Sequence, residues 1–128
     1  MQAVEVPRVS VTTPPPARPV TLSRVRDHLN ITDTERDVKL GEFIDAAVDQ
    51  MEEETGRALC TQGRTLYRDD FGDGGEIELP GAPLQSVTAV KYTPLATGVE
   101  VTLSSAYYRV DTASEPGRVI LKDDYDWP

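Results

Sequence analysis

Hydrophobic positions follow a helical spacing from Leu22 to about residue 59 and a spacing of two from Gln62 onward, and this change of period predicts the architecture. Leu22, Val25 and Leu29 fall on one face of a short helix that Thr21 can cap and that ends near Asn30. A longer helix follows. Thr32 and Glu35 stand at capping-box spacing, with Asp33 and Thr34 as competing caps. Leu40, Ile44, Ala47, Val48 and Met51 then form one apolar stripe with Phe43 at its edge. Gly56 is placed to stop the helix, because glycine tolerates the left-handed conformation of a helix end.

The period of two predicts short strands over residues 64–68, 76–79, 86–92, 99–103, 107–111 and 118–122. Turn-forming residues fill the gaps at 69–75, 80–83, 94–98 and 113–117. No helical pattern separates these strands, so parallel crossovers are disfavoured and an antiparallel meander is the simplest connection. The expected fold class is α+β: an N-terminal extended arm, a short helix plus a long acidic helix within residues 21–59, then an antiparallel sheet over 62–122. The arm is residues 1–20, where Val alternates with Pro, Arg, Ser and Thr and where Pro14, Pro15 and Pro16 favour extended polyproline geometry. It reads as mobile in the isolated chain, or as a strand that docks on a neighbour.

Composition narrows the functions that this frame can serve. With 128 residues, the expectation is one domain, residues 21–128, plus its arm. Thirteen Lys and Arg face 22 Asp and Glu, a formal charge of −9 that repels phosphate and argues against tight nucleic-acid binding. The long helix concentrates that charge: Glu35, Asp37, Glu42, Asp45, Asp49, Glu52, Glu53 and Glu54 against Arg36 and Lys39 give a net of −6. Such a face is solvated, or is a negative wall past which DNA slides, or meets a basic partner. Cys60 is the only cysteine, so neither an internal disulfide framework nor a multi-thiolate zinc site can be built. No apolar run approaches the roughly 18 residues of a membrane span, and no signal-peptide core is present at the start. A soluble protein made in the cytoplasm, with no membrane partner, is expected.

Catalytic chemistry finds no constellation. His28 is the only histidine and stands beside Asp27 in the short helix, with no nucleophile opposite. Cys60 reads as a small hydrophobe near the helix end. Asp69, Asp70, Asp73 and Glu76 invite comparison with a twelve-residue calcium loop, but Phe71 and Pro80 would occupy its third and twelfth positions, where oxygen ligands are needed. Residues 72–75 follow no strand-to-helix junction and carry acids instead of lysine, unlike a phosphate-binding loop. The expectation is no enzyme, no cofactor, no metal and no catalytic residue.

The order of segments resembles the head-tail connector, or adaptor, proteins of long-tailed bacteriophages and gene transfer agents. The likeness is carried by VTLSRVRDHLNI at residues 20–31, ETGRALCTQ at 54–62, IELPGAPLQSVTAVKY at 77–92, and YRVD at 108–111 followed by PGRVI at 116–120. It implies a structural virion protein of the neck, made in the bacterial host cytoplasm, that assembles as a homo-oligomeric ring, usually dodecameric. The portal protein would lie above the ring and a stopper or tail-terminator protein below. Double-stranded DNA would pass through the channel without specific binding. A closed ring needs a heterologous interface, in which one face of a subunit meets a different face of the next. Candidate interface residues are Arg24, Arg26, Arg57 and Arg64, set against Glu42, Asp45, Asp49 and Glu52 of a neighbour's long helix. Members of the family usually continue past the position of Trp127 with a further strand and an apolar C-terminal helix. Without that helix, a neighbouring subunit would cover part of the sheet's apolar face. The competing reading is a helix-turn-helix-like DNA-binding regulator, which a recognition helix of net −6 contradicts.

Overall fold

The computed structural model describes residues 8–128. Its elements are β1 (Arg8–Thr13), α1 (Leu22–His28), α2 (Asp37–Thr55), β2 (Gly63–Tyr67), β3 (Glu76–Leu79), β4 (Val90–Tyr92), β5 (Val101–Leu103), a 3-10 turn (Ser105–Tyr107), β6 (Tyr108–Asp111) and β7 (Gly117–Leu121). The chain is α+β, with the helices first and antiparallel strand pairs after them. It divides into two compact units, one of residues 10–65 and one that contains residues 66–128.

In the helical unit, the Thr21 hydroxyl accepts a hydrogen bond from the Arg24 amide at 3.2 Å and caps α1, as its position before the apolar spacing predicts. Asn30 adopts a left-handed conformation (φ 56°) and the Ile31 amide bonds back to the Arg26 carbonyl at 2.9 Å, which closes the helix end. The expected capping box at Thr32 does not form. Asp33 instead accepts a hydrogen bond from the Glu35 amide at 3.1 Å, and this local turn competes with helix over 32–36, so α2 begins at Asp37 without a side-chain cap. Gly56 ends α2 at φ 67°, with its amide on the Glu52 carbonyl.

Only the first half of the predicted stripe is covered. Leu40, Gly41 and Ile44 are buried, Val48 is half-buried, and Ala47, Met51 and Phe43 are exposed. The expected arm also changes character. Residues 1–7 lie outside the described residues, but Arg8–Thr13 forms a strand that pairs with β2 of the same chain. The β-branched residues Val9, Val11, Thr12 and Thr13 suit that ladder, and Pro14–Pro16 end it because proline has no amide to donate.

In the strand unit, β7 is the central strand of a three-stranded sheet of order β3-β7-β6. Hairpins join β4 to β5 and β6 to β7, whereas β3 pairs with the last strand, with Ile77 opposite Val119. The strand expected over 86–92 shortens to Val90–Tyr92, because β5 offers only three residues to pair with it. Leu103, Tyr108 and Val119 form the buried core, and Leu79, Val87, Val90, Tyr92, Val110 and Trp127 pack against it. Trp127 stacks on Phe71 with ring centres 4.9 Å apart and donates its indole N–H to the Gly74 carbonyl at 2.8 Å. The C-terminal residues thus supply cover for the sheet from within the chain.

Candidate interaction surface

Several charged residues of the helical unit are paired within the chain. Arg26 on α1 places its Nη1 at 2.7 Å from both carboxylate oxygens of Asp37, in the first turn of α2, and both side chains are largely covered. Arg64 on β2 reaches Glu52 at 2.9 Å, while Gln62 accepts from Arg64 Nε at 3.0 Å and donates to Glu52 at 3.5 Å. Arg18 grips Asp45 through Nε at 2.7 Å and Nη2 at 3.2 Å. These hydrogen bonds favour the ionised carboxyl of Asp45 and hold its pKa below the usual carboxylate range, while the Arg18 guanidinium is raised. Nothing in the spacing of Arg18 pointed to this contact, which lies 27 residues away along the chain.

Of the eight residues singled out for an interface, Arg26, Asp45, Glu52 and Arg64 therefore sit in ion pairs within the subunit. Arg24, Glu42, Asp49 and Arg57 are exposed. Within its observed bounds α2 carries seven acids against Lys39, so its solvent-facing surface is negative and lacks the donors that phosphate requires.

Next to this negative surface, hydrophobic side chains stand open. Phe43 is 61 % exposed and Met51 48 %, and with Ala47 they follow one another every four residues on one line of α2. A second apolar opening lies along α1. Val20, Arg24, Val25, His28 and Leu29 line a shallow groove of about 280 Å³, small for a ligand site, where volumes of roughly 300–1,000 Å³ are usual.

In the strand unit a charged cluster centres on Arg118. Arg118 on β7 donates to Asp111 on β6 at 2.8 Å and to Glu76 on β3 at 2.6 Å, joining all three strands on the polar face of the sheet. Asp111 also accepts from the Ser114 hydroxyl at 2.7 Å and from the Ser114 and Ala113 amides. Arg118 above all, then Ser114, holds the Asp111 carboxyl well below the usual carboxylate range. The arrangement is that of a structural turn, in which both oxygens of Asp111 accept hydrogen bonds. His28 is exposed, Cys60 is half-buried and unpaired, and no group of three or more metal-ligating side chains occurs among the described residues. The acidic 69–76 stretch makes a local turn in which Asp70 accepts from the Gly72 amide at 2.8 Å. Among the described residues, no helix is long and apolar enough to cross a membrane.

A surface of spent ion pairs, free acids and open hydrophobic ridges suits assembly with other proteins, and the comparison with protein families says which kind. The model of the phage gp6-like head-tail connector proteins matches residues 19–95. The chain belongs to that family. Neither the comparison with curated proteins nor that with solved structures finds a match. The matched stretch spans both helices of the connector and runs through β4. Three of the four segments that carried the resemblance fall inside it, and the fourth, at 108–111 and 116–120, lies beyond. The connector is thus a structural component of the phage neck, working with the components of head and tail.

Proposed function

We propose that this connector forms a ring beneath the portal, joins the DNA-filled head to the tail, and leaves a channel for double-stranded DNA. The family match over both helices carries the reading. The ring is a homo-oligomer, dodecameric by likeness to the family, with the portal protein above and a stopper or tail-terminator protein below. It is made in the host cytoplasm and built into the virion. The physical support is the acidic surface of α2, where the exposed Glu42, Asp49, Glu53 and Glu54 outweigh Lys39: a channel wall that repels phosphate lets the duplex move without being held. In this reading Arg24 meets an acid of a neighbour's α2, while Arg26, Arg64, Asp45 and Glu52 stay in their ion pairs within each subunit.

The deciding experiment measures solution mass and images the purified chain by electron microscopy, alone and with the portal protein, at low and high salt. Rings, or a stable complex with the portal, are the expected result. A monomer indifferent to the portal at every salt concentration overturns the proposal.

A further inference from the structure

The helical unit presents an apolar line on α2 and an apolar groove along α1, on different surfaces of the same chain. The ridge is convex: Phe43 and Met51 project on one line of α2, with the small Ala47 between them, and Glu54 lies close to that line one turn further along. The groove is shallow and almost wholly apolar: Val20, Val25 and Leu29 line it together with the carbon stems of Arg24 and His28. Val20 and Leu29 are 41 % and 51 % exposed. No side chain of α2 lines this groove, and Arg24 makes no ion pair among the described residues.

We propose that the α2 ridge of one subunit seats in the α1 groove of the next, with Phe43 and Met51 against Val20 and Leu29 and with Glu54 against Arg24. This inference rests on the ring reading and names the surfaces that would build it. The occupant is a second copy of this chain, because Arg24, exposed beside the groove and in no ion pair among the described residues, is matched in charge by Glu54 beside the ridge. DNA is a poorer occupant, since two potential donors over an apolar floor cannot track a phosphate backbone. Ridge and groove are different surfaces of the subunit, so the contact is heterologous. Repetition of such a contact closes into a ring when its rotation divides a full turn. The mode is that of a helix laying its apolar line into a groove, read at every fourth residue.

The test compares assembly of the full chain, by solution mass with and without the portal protein, for wild type, Phe43→Ser, Arg24→Glu and the double variant Arg24→Glu/Glu54→Arg. Circular dichroism checks that each keeps its helices, which the exposure of all three positions favours. Phe43→Ser and Arg24→Glu are each expected to weaken assembly by about tenfold or more, as loss of a central interface anchor does. The double variant should regain most of what Arg24→Glu loses, since both charges of the pair are exchanged. Rings formed by Phe43→Ser at the wild-type concentration overturn the inference while leaving the ring reading intact, and so does failure of the double variant to recover. A wild-type chain that stays monomeric with the portal overturns both.

Discussion

Asp111 shows how one side chain can fix a turn and a sheet together. Its carboxylate receives Arg118 from the neighbouring strand, together with the hydroxyl and amide of Ser114 and the amide of Ala113. All of these contacts favour the charged form, so the folded-state pKa lies below the ordinary value of about 3.9. A carboxyl depressed in this way stabilises the fold fully above its ordinary pKa and loses that contribution as pH falls through the folded value. Asp111→Asn is therefore expected to lower the melting temperature at pH 7. The gap to wild type should stay constant down to about pH 5 and then close below about pH 4. Thermal melts of both proteins across that range check it, and a gap that persists unchanged in acid contradicts the assignment. The Arg18–Asp45 pair behaves differently despite its short bonds, because both side chains are substantially exposed and water competes for them.

At the scale of elements, β7 depends on an absent side chain. A Cβ built on Gly117 would collide with Leu84, which lies against the start of the central strand. Gly117→Val is expected to cost about 1–3 kcal/mol as an overpacked contact, measurable by urea unfolding, and an unchanged midpoint would show that Leu84 can move aside. The sequence marked this glycine only as the end of the turn-forming stretch 113–117, since a close approach from 33 residues away leaves no local trace. What was legible was whatever local geometry determines. Thr21 before an apolar period gave the start of α1, Gly56 gave the stop of α2, and the alternation in Glu76–Leu79 gave β3 to the residue. Where two local solutions competed, the pattern misled: Asp33 satisfied a nearby amide and took residues 32–36 out of the helix. Pairing between distant segments was also hidden, as with β3 against β7 and β1 against β2, because register depends on partners that periodicity does not name.

The whole molecule carries a formal charge of −9, and long-range repulsion should dominate any encounter with a duplex. No retention of double-stranded DNA in a mobility-shift assay is expected at roughly 50 mM salt, the condition most favourable to phosphate contacts. A salt-sensitive complex would instead reveal a basic face that assembly or another partner exploits. Of the candidate surface, the sequence disclosed the charges but not their pairing. Arg24 and Arg26 are two residues apart, yet one faces solvent and the other grips Asp37, a difference that exists only once α1 packs on α2. The exposed ridge of α2 was likewise concealed, because a stripe read from spacing says which residues align and leaves open how far a partner covers them.

The stack of Trp127 on Phe71 gives the protein an optical asymmetry. It holds the only indole in the chain, and that indole sits in the strand unit, hydrogen-bonded to Gly74 and packed against the sheet core. Tryptophan emission accordingly reports the opening of that unit, while ellipticity at helical wavelengths reports mainly α1 and α2. Transitions that coincide in the two signals would show a chain that melts as one cooperative body, and transitions that separate would reveal which unit yields first as the neck is assembled or dismantled.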